Sequence, residues 1–246
     1  MTPATIITAI TPSTTQNRRR DRAAIAVAVA VGALLLALAV PRTIAYVTTA
    51  RDDEIVAGLA RYTQPTPIEM QVAAENRRAA LSWHDDAHLH ADIAALELAT
   101  ARKAGLASRE GIARIERAET EARAALELAP GQPYAWVTLL YAALAEGRGK
   151  DMIAPLYRMA VASAPHDPAL VMARVELGLT AAARGVLDDA DRALVDAQIR
   201  LAAAGAPKIL AEYARQHRAL GPVRAALARD TTLRARFDAA YLSSVR

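Results

Sequence analysis

Hydrophobic and polar positions divide the chain into one continuous apolar run and a long series of amphipathic segments. The apolar run covers residues 23–40 and contains no charged side chain. A helix rises about 1.5 Å per residue, so this run reaches roughly 27 Å, close to the thickness of a bilayer's hydrocarbon core. The pattern therefore predicts a single transmembrane anchor. We place it at residues 23–47, because the apolar residues 44–47 extend the run past Pro41.

The charges beside this run predict its orientation. Arg18, Arg19, Arg20 and Arg22 lie directly before it. Basic residues close to one end of a span hold that end in the cytoplasm. We therefore expect a cytoplasmic basic tail over residues 1–22, a single pass through a bacterial inner membrane, and a C-terminal domain in the periplasm. Residues 1–17 are rich in threonine and contain two prolines, so this part of the tail is expected to be loose.

A cleaved secretory signal is the alternative to an anchor. Ala37 and Ala39 form an A-x-A-like pair behind a basic segment. The apolar run is longer than the ~7–15 residues usual for a signal peptide, and the alanine pair lies inside it, so an uncleaved anchor is favoured. A twin-arginine export signal at Arg19 and Arg20 is disfavoured by Asp21 and by the lack of hydrophobic residues directly after the pair.

The rest of the chain predicts an all-α protein. Residues 48–67 are expected to be a juxtamembrane linker, in which Pro65 and Pro67 end any helix that continues from the anchor. Residues 68–246 are expected to be one helical domain, because apolar residues recur at helical spacing and no alternating strand pattern of useful length appears. The predicted helices cover residues 68–82, 87–104, 109–129, 133–147, 151–163, 168–184, 189–204, 207–219, 222–229 and 231–243.

Polar residues and glycines mark the expected helix boundaries. Ser108, Asp167 and Asp188 precede apolar periodic segments, where their side chains can cap a helix N-terminus. Gly105 and Gly221 are among the residues expected to stop a helix.

An internal repeat relates two of these boundaries. Residues 128–136 align with residues 163–171 at an offset of 35. In both copies an Ala-Pro pair closes one helix and a second proline opens the next. This period and pattern resemble the tetratricopeptide repeat (TPR), a helix-turn-helix unit of ~34 residues.

Five positions carry the resemblance in the middle unit. Leu140 and Ala143 depart from the expected glycine and tyrosine, and a one-residue insertion falls near Lys150. The resemblance implies a TPR-like α-solenoid of antiparallel helix pairs over about residues 87–185. In that fold Trp136 is expected between the two helices of its repeat. The matching positions are Trp136, Leu139, Tyr157, Ala160 and Pro165.

The later part of the chain adds a second resemblance. Residues 174–179, 197–200 and 222–237 are similar to membrane-anchored TPR-like proteins found with bacterial exopolysaccharide biosynthesis machinery. This similarity implies a scaffold or adaptor that binds proteins of an inner-membrane or periplasmic assembly in building or exporting an envelope polysaccharide. It implies no catalytic residue and no cofactor. A cytochrome-maturation or secretion complex is the alternative client.

The repeat also suggests a partner-binding surface. In arrays of this family the first helix of each unit lines the concave groove, which selects Tyr134, Val137, Tyr141 and Leu144. Two tyrosines beside apolar neighbours would anchor a partner segment, because aromatic rings offer a large contact area with few rotamers to freeze. The alternative is that either ring packs against the preceding helix, residues 109–129.

Composition narrows the functional classes. The first 42 residues hold five arginines and one aspartate, so removing them from 30 basic and 26 acidic residues leaves 25 of each. A body without net charge has no basic surplus for binding nucleic acid. The absence of cysteine excludes disulfides and thiolate chemistry. The charged residues around 114–123 predict a solvated helix face with ion pairs at helical spacing.

One segment suggests metal chemistry. Residues 84–92 place three of the five histidines beside three aspartates. If the helix began early enough, His84 and His88 would share one face and could bind a divalent cation, which would suit a metal-dependent periplasmic hydrolase. The favoured interpretation is that Asp85 or Asp86 caps a helix that begins near Ala87. We therefore expect neither an enzyme nor a metal site.

Overall fold

The computed structural model describes residues 14–60 and 65–243, with side chains described for residues 22–59 and 65–243. All regular secondary structure in these ranges is α-helical. The chain divides into two compact units, with the boundary between Ile44 and Ala45. The helices are α1 (Thr14–Thr49), α2 (Asp53–Ala60), α3 (Pro67–Leu81), α4 (Ala87–Ala104), α5 (Arg109–Leu128), α6 (Pro133–Ala145), α7 (Lys150–Ala162), α8 (Pro168–Ala183), α9 (Asp189–Gly205), α10 (Pro207–Gln216), α11 (Leu220–Ala226) and α12 (Thr231–Ser243).

The first unit contains the apolar part of α1. Among the described residues, Arg22–Thr49 is the one stretch of helix that is long and apolar enough to cross a membrane. Its apolar side chains are exposed, as Ile25 and Leu36 show at 63% and 65%. The helix continues through Pro41, as the predicted extension requires. The membrane-length helix is thus confirmed, while its orientation and its membrane stay predictions.

The N-terminus of α1 differs from the sequence expectation. The helix begins at Thr14, although residues 1–17 were expected to form a loose tail. Helix formation has an unfavourable nucleation step, after which each added residue costs little free energy. The polar residues 14–17 can therefore extend the apolar helix toward its N-terminus. The rest of the expected tail lies outside the described residues.

The segment expected to be a juxtamembrane linker is largely part of the second unit. That unit begins at Ala45, and α2 lies within it. Asn76 of α3 donates to Asp52 at 2.5 Å, and Arg77 donates to Asp53 at 3.0 Å. These bonds hold the residues just after α1 against α3, so residues 48–60 do not behave as a free linker.

The second unit is built from neighbouring helix pairs. α4 packs against α5, α6 against α7, and α8 against α9, each pair being joined by a short turn. Helix α6 also contacts α4 and α8, and α5 contacts α6. α10, α11 and α12 pack against α9. The all-α class is confirmed for the described residues, while the finer TPR-like arrangement stays a prediction.

Local chemistry explains most helix ends. The side chain of Ser108 accepts from the Gly111 amide at 2.9 Å, and Asp167 accepts from Ala169 at 3.0 Å. These residues, with Asp188, cap their helices as predicted. Gly221 is different, because it lies inside α11 rather than stopping a helix. The left-handed turn after α10 is instead made by Arg218, with a φ of 54°.

Small residues bring the helices close together. Most buried positions of α5 are alanines, which leave little side-chain volume between two backbones. Gly178 of α8 allows a close approach to side chains of both α7 and α9. A Cβ atom there would lie 2.7 Å from the Tyr157 hydroxyl and 2.8 Å from Val195. Gly178 is therefore required for α8 to approach α7 and α9.

The two aromatic residues of the middle pair, Trp136 and Tyr157, differ in burial. Trp136 is half-buried against the core, and its indole nitrogen donates to the carbonyl of Pro130 at 2.8 Å. Tyr157 is fully buried. The expectation that Trp136 lies between α6 and α7 stays a prediction. The polar N–H of Trp136 finds a partner in the turn before α6.

Candidate functional site

A cleft lies between α4, α8 and α10 in the second unit. Its volume is about 670 Å³, within the range of sites that hold small ligands or a few side chains of a protein segment. α4, α8 and α10 supply most of its lining, and α3 adds Met70. The lining residues are Leu59, Pro65, Met70, Ala99, Arg102, Lys103, Met172, Glu176, Lys208, Ile209, Glu212, Tyr213, Gln216 and His217.

Helical spacing explains why these residues converge. Met172 and Glu176 are four residues apart on α8, so they lie on one face of that helix. On α10, Ile209, Tyr213 and Gln216 repeat at spacings of four and three. Each helix thus turns one mixed apolar and polar stripe toward the cleft, while its other face packs into the core.

Arg102 of α4 forms polar contacts on the α8 side of the cleft. Its Nη2 donates to Glu176 at 3.3 Å. Its guanidinium also lies 5.5 Å from the centre of the Tyr141 ring, a cation–π distance. Arg102 therefore connects α4 with both α6 and α8.

Helix α10 supplies an aromatic stack to the opposite wall. The rings of Tyr213 and His217 are 4.5 Å apart and inclined by 23°. Burial and the negative charge of Glu176 raise the pKa of Tyr213 to about 12. The Tyr213 hydroxyl thus stays protonated at neutral pH and can donate a hydrogen bond.

The structure separates the four predicted partner-binding residues into two groups. Val137 and Leu144 are buried members of the core, with exposures of 9% and 3%. Tyr134 and Tyr141 are half-buried and pack against the same core. Val137 and Leu144 do not line an open surface of the structure, because their side chains are buried. Partner binding by the four residues stays a prediction. Tyr141 reaches the cleft through Arg102, whereas Tyr134 does not line it.

The histidine-rich segment, residues 84–92, makes hydrogen bonds to protein groups. Helix α4 begins at Ala87 with Asp86 as its N-cap, so His84 precedes the helix and does not share a face with His88. His88 contacts Gln132 at 2.9 Å through Nδ1. His90 contacts Glu121 through Nδ1 at 2.6 Å and Asp85 through Nε2 at 2.9 Å. Within the part of the chain that the structure describes, no group of three or more His, Asp or Glu side chains is arranged to hold a metal ion.

A buried carboxylate network lies beside this segment and was missed by sequence reasoning. Glu97 of α4 is 2% exposed and contacts Arg78 of α3. It also accepts from Arg114 at 3.0 Å and Arg117 at 3.3 Å, both on α5. Burial alone would raise the pKa of Glu97, but the hydrogen bonds from Arg78 and Arg114 lower it below its ordinary value.

Only part of this network has a sequence signal. Arg114 and Glu110 form the pair at helical spacing that the sequence predicts, at 3.3 Å. The contacts of Arg114 and Arg117 with Glu97 join two helices, so the spacing within α5 does not reveal them. The available signal was the position of Glu97 within an apolar stripe, between Leu96 and Ala101. An acidic residue at such a position indicates a buried carboxylate that needs cationic partners.

No protein-family model, curated protein or solved structure matches the chain. The class of protein therefore rests on the geometry. The described residues form an all-helical protein with one membrane-length helix and a second unit of packed helix pairs with a cleft.

Proposed function

We propose that the protein is a membrane-anchored scaffold that binds partner proteins and acts without catalysis. The cleft between α4, α8 and α10 carries this proposal. Its lining combines apolar side chains such as Met172 and Ile209 with charged residues such as Arg102 and Lys208. A methionine side chain can adapt its conformation to different partners, and polar residues beside apolar ones are typical of protein interfaces.

The packing of α4, α6 and α8 supports a TPR-like array as the framework. In such arrays successive helix pairs stack on their neighbours and form an extended binding surface. Helix α6 contacts α4 and α8, which are the first helices of the neighbouring pairs. The cleft includes residues of α4 and α8, so it lies on the side to which first helices contribute.

A photo-crosslinking experiment tests partner binding at the cleft. A benzophenone amino acid replaces Ile209, which lines the cleft and is 41% exposed, in the full-length protein in cells. We expect a covalent product with another protein after irradiation. Ile112 of α5 is the matched control, since it is 50% exposed and does not line the cleft. Equal products from both positions, or none from Ile209, would refute the proposed binding site.

We further propose that the second unit lies in the periplasm, with the N-terminus in the cytoplasm. The arginines before residues 23–40 support this orientation. An alkaline phosphatase fused after Arg246 should be active, and a fluorescent protein that matures only in the cytoplasm should be dark at the same position. The reverse pair of results would overturn the orientation.

The proposed client is an envelope polysaccharide assembly. Its support is the sequence similarity over residues 174–179, 197–200 and 222–237. Neighbouring genes for glycosyltransferases, a polymerase and a chain-length regulator would support this client, whereas cytochrome-maturation or secretion genes would replace it. The hydrogen bonds of His88 and His90 do not favour the alternative of a metal-dependent hydrolase.

A further inference from the structure

Lysine is rare in this chain, and its placement is uneven. The sequence contains three lysines among 30 basic residues, and two of the three, Lys103 and Lys208, line the cleft. The third, Lys150, is exposed at the start of α7 and does not line it. The cleft therefore concentrates the compact ammonium charges of the chain.

The acidic groups of the cleft already have cationic partners. Glu176 accepts from Arg102 at 3.3 Å. Glu212 is bound by Arg215 and by Gln216, the latter at 2.6 Å. The hydrogen bonds to Glu212 hold the pKa of its carboxyl below the ordinary value, so it stays ionised and engaged with its own helix.

Neither lysine forms an ion pair with an acidic side chain among the described residues. The pKa of Glu69 is nevertheless lowered by hydrogen bonds from Thr66 and, to a smaller extent, by the charge of Lys103. Lys103 donates to the backbone carbonyl of Pro65, which carries no charge. Lys208 has no hydrogen bond or ion pair there and is exposed. It also lies in the first turn of α10, where no side chain caps the helix and the helix dipole adds positive potential. Lys208 therefore gives the cleft a positive charge that no ion pair neutralises, and Lys103 adds a second positive charge that Glu69 offsets in part.

Apolar side chains line the same cleft as the two lysines. They include Met172 of α8, Ile209 of α10 and the ring of Tyr213. The hydroxyl of Tyr213, whose pKa is raised, also lines the cleft. A ligand that complements the whole cleft must therefore carry both negative charge and an apolar group. A methionine and an aliphatic side chain favour a protein side chain over a sugar, whose surface is mostly hydroxyl.

We infer that the cleft binds an acidic peptide segment of a partner protein, with an apolar side chain against Met172, Ile209 and Tyr213 and carboxylates facing Lys103 and Lys208. This inference rests on the proposed scaffold function and specifies the chemistry of its partner. It differs from the predicted binding surface on α6, because α10 and the end of α4 supply the recognition.

A random 12-residue peptide library displayed on phage tests this inference directly. The full-length protein is held in lipid nanodiscs through a C-terminal tag. We expect selected peptides to be enriched in Asp and Glu around one apolar residue. Lys208→Glu should weaken binding of a selected synthetic peptide about tenfold through unfavourable charge, whereas Lys150→Glu should leave it unchanged. Absence of acidic enrichment, or equal effects of the two variants, would refute the inference.

Amine acetylation followed by mass spectrometry locates the bound peptide. With three lysines in the chain, each can be followed separately. The selected peptide should protect Lys103 and Lys208 from acetylation and leave Lys150 reactive. An oligomer of galacturonic acid serves as an acidic sugar probe. If it protects the two lysines and no library peptide does, the cleft is a saccharide site and the inference fails.

The outcomes for the scaffold and for the acidic segment are separable. A protein crosslink at Ile209 to a segment without acidic residues would retain the scaffold proposal and reject the acidic peptide. Selection of acidic peptides without any protein crosslink in cells would show a peptide site while rejecting the proposed scaffold function.

Discussion

His90 has a carboxylate oxygen at each nitrogen of its ring. Glu121 lies 2.6 Å from Nδ1 and Asp85 lies 2.9 Å from Nε2. A neutral imidazole can donate from one nitrogen only, so two acceptors favour the doubly protonated ring. Burial opposes the charge, but the hydrogen bonds and negative charges of Glu121 and Asp85 outweigh it and raise the pKa of His90.

This arrangement predicts a pH-dependent contribution to stability. Because the folded pKa lies above the unfolded value near ~6.5, the contribution is complete below that value and is lost as pH rises through the folded pKa. The melting temperature of wild type should therefore exceed that of His90→Gln most at about pH 6 and least at about pH 9. Thermal unfolding followed by circular dichroism measures both.

His84→Gln is the matched control for that experiment. His84 lies 3.9 Å from Asp86, beyond hydrogen-bonding distance. The difference in melting temperature between wild type and His84→Gln should change less with pH than the difference between wild type and His90→Gln. If the difference in melting temperature between wild type and His90→Gln is the same at every pH, the imidazolium with two hydrogen bonds does not form.

Residue roles could be predicted from the sequence where they are local. Asp86 caps α4 because a cap needs only the next two residues, and the sequence anticipated a cap at Asp85 or Asp86. The partner of His90 on α5 is 31 residues away, and no local spacing points to it. The cap was therefore predictable, while the ion pair depended on how α4 and α5 pack.

At the scale of the helices, the approach of α7, α8 and α9 depends on a missing side chain. Gly178 faces the Tyr157 hydroxyl and a methyl group of Val195 at distances that leave no space for a Cβ atom. The Tyr157 hydroxyl has no hydrogen-bond partner in the described part of the chain. The hydroxyl therefore contributes volume rather than a bond at this contact.

Gly178→Ala should destabilise the protein by about 1–3 kcal/mol, the usual cost of overpacking. The helix-propensity gain of about 0.5–1 kcal/mol is too small to offset contacts of 2.7 and 2.8 Å. Chemical denaturation measures the change. Gly131→Ala is the control, with an effect expected within about 0.5 kcal/mol, because no atom lies within 4 Å of the added carbon.

A second substitution tests the cause of this loss. Tyr157→Phe removes the atom at 2.7 Å and should recover part of the stability lost in Gly178→Ala. Strictly additive effects of the two substitutions would show that the clash lies elsewhere.

Helix positions followed well from the sequence, because apolar spacing and caps act within one turn. α4 covers the predicted residues 87–104, and α12 covers the predicted residues 231–243. The turn after α10 was misplaced, since Gly221 was the expected breaker and Arg218 takes the left-handed conformation. A backbone conformation imposed by packing can override the residue type best suited to it.

For the whole molecule, the cleft was not foreseeable from the sequence. Its walls come from Ala99, Met172 and Tyr213, which are far apart in the chain. The repeat alignment selected α6 as the recognition helix. Two of its four predicted residues, Val137 and Leu144, are buried and so are not exposed to a partner. Repeat periodicity predicts which helices pair, but the surface left open also depends on the helices that pack against α9, here α10 to α12.

The bonds between α3 and the residues that follow α1 have a practical consequence for producing the protein without its membrane-length helix. Arg77 is fully buried and bonds to Asp53 at 3.0 Å and to Asp92 at 2.9 Å. A soluble version that starts at Pro67 keeps Arg77 and Asp92 but loses Asp53. A start at Ala45 keeps all three, together with Asp52 as the partner of Asn76.

The longer soluble version should therefore melt at a higher temperature and aggregate less than the shorter one. Breaking a buried ion pair costs about 3–5 kcal/mol, and less where a partner is partly exposed, as Asp53 is at 55%. Scanning calorimetry of residues 45–246 and 67–246 measures the difference, and Asp53→Asn in the longer version should reproduce part of it. Equal melting of the two versions would mean that residues 45–66 can be discarded when crystals or binding assays are prepared.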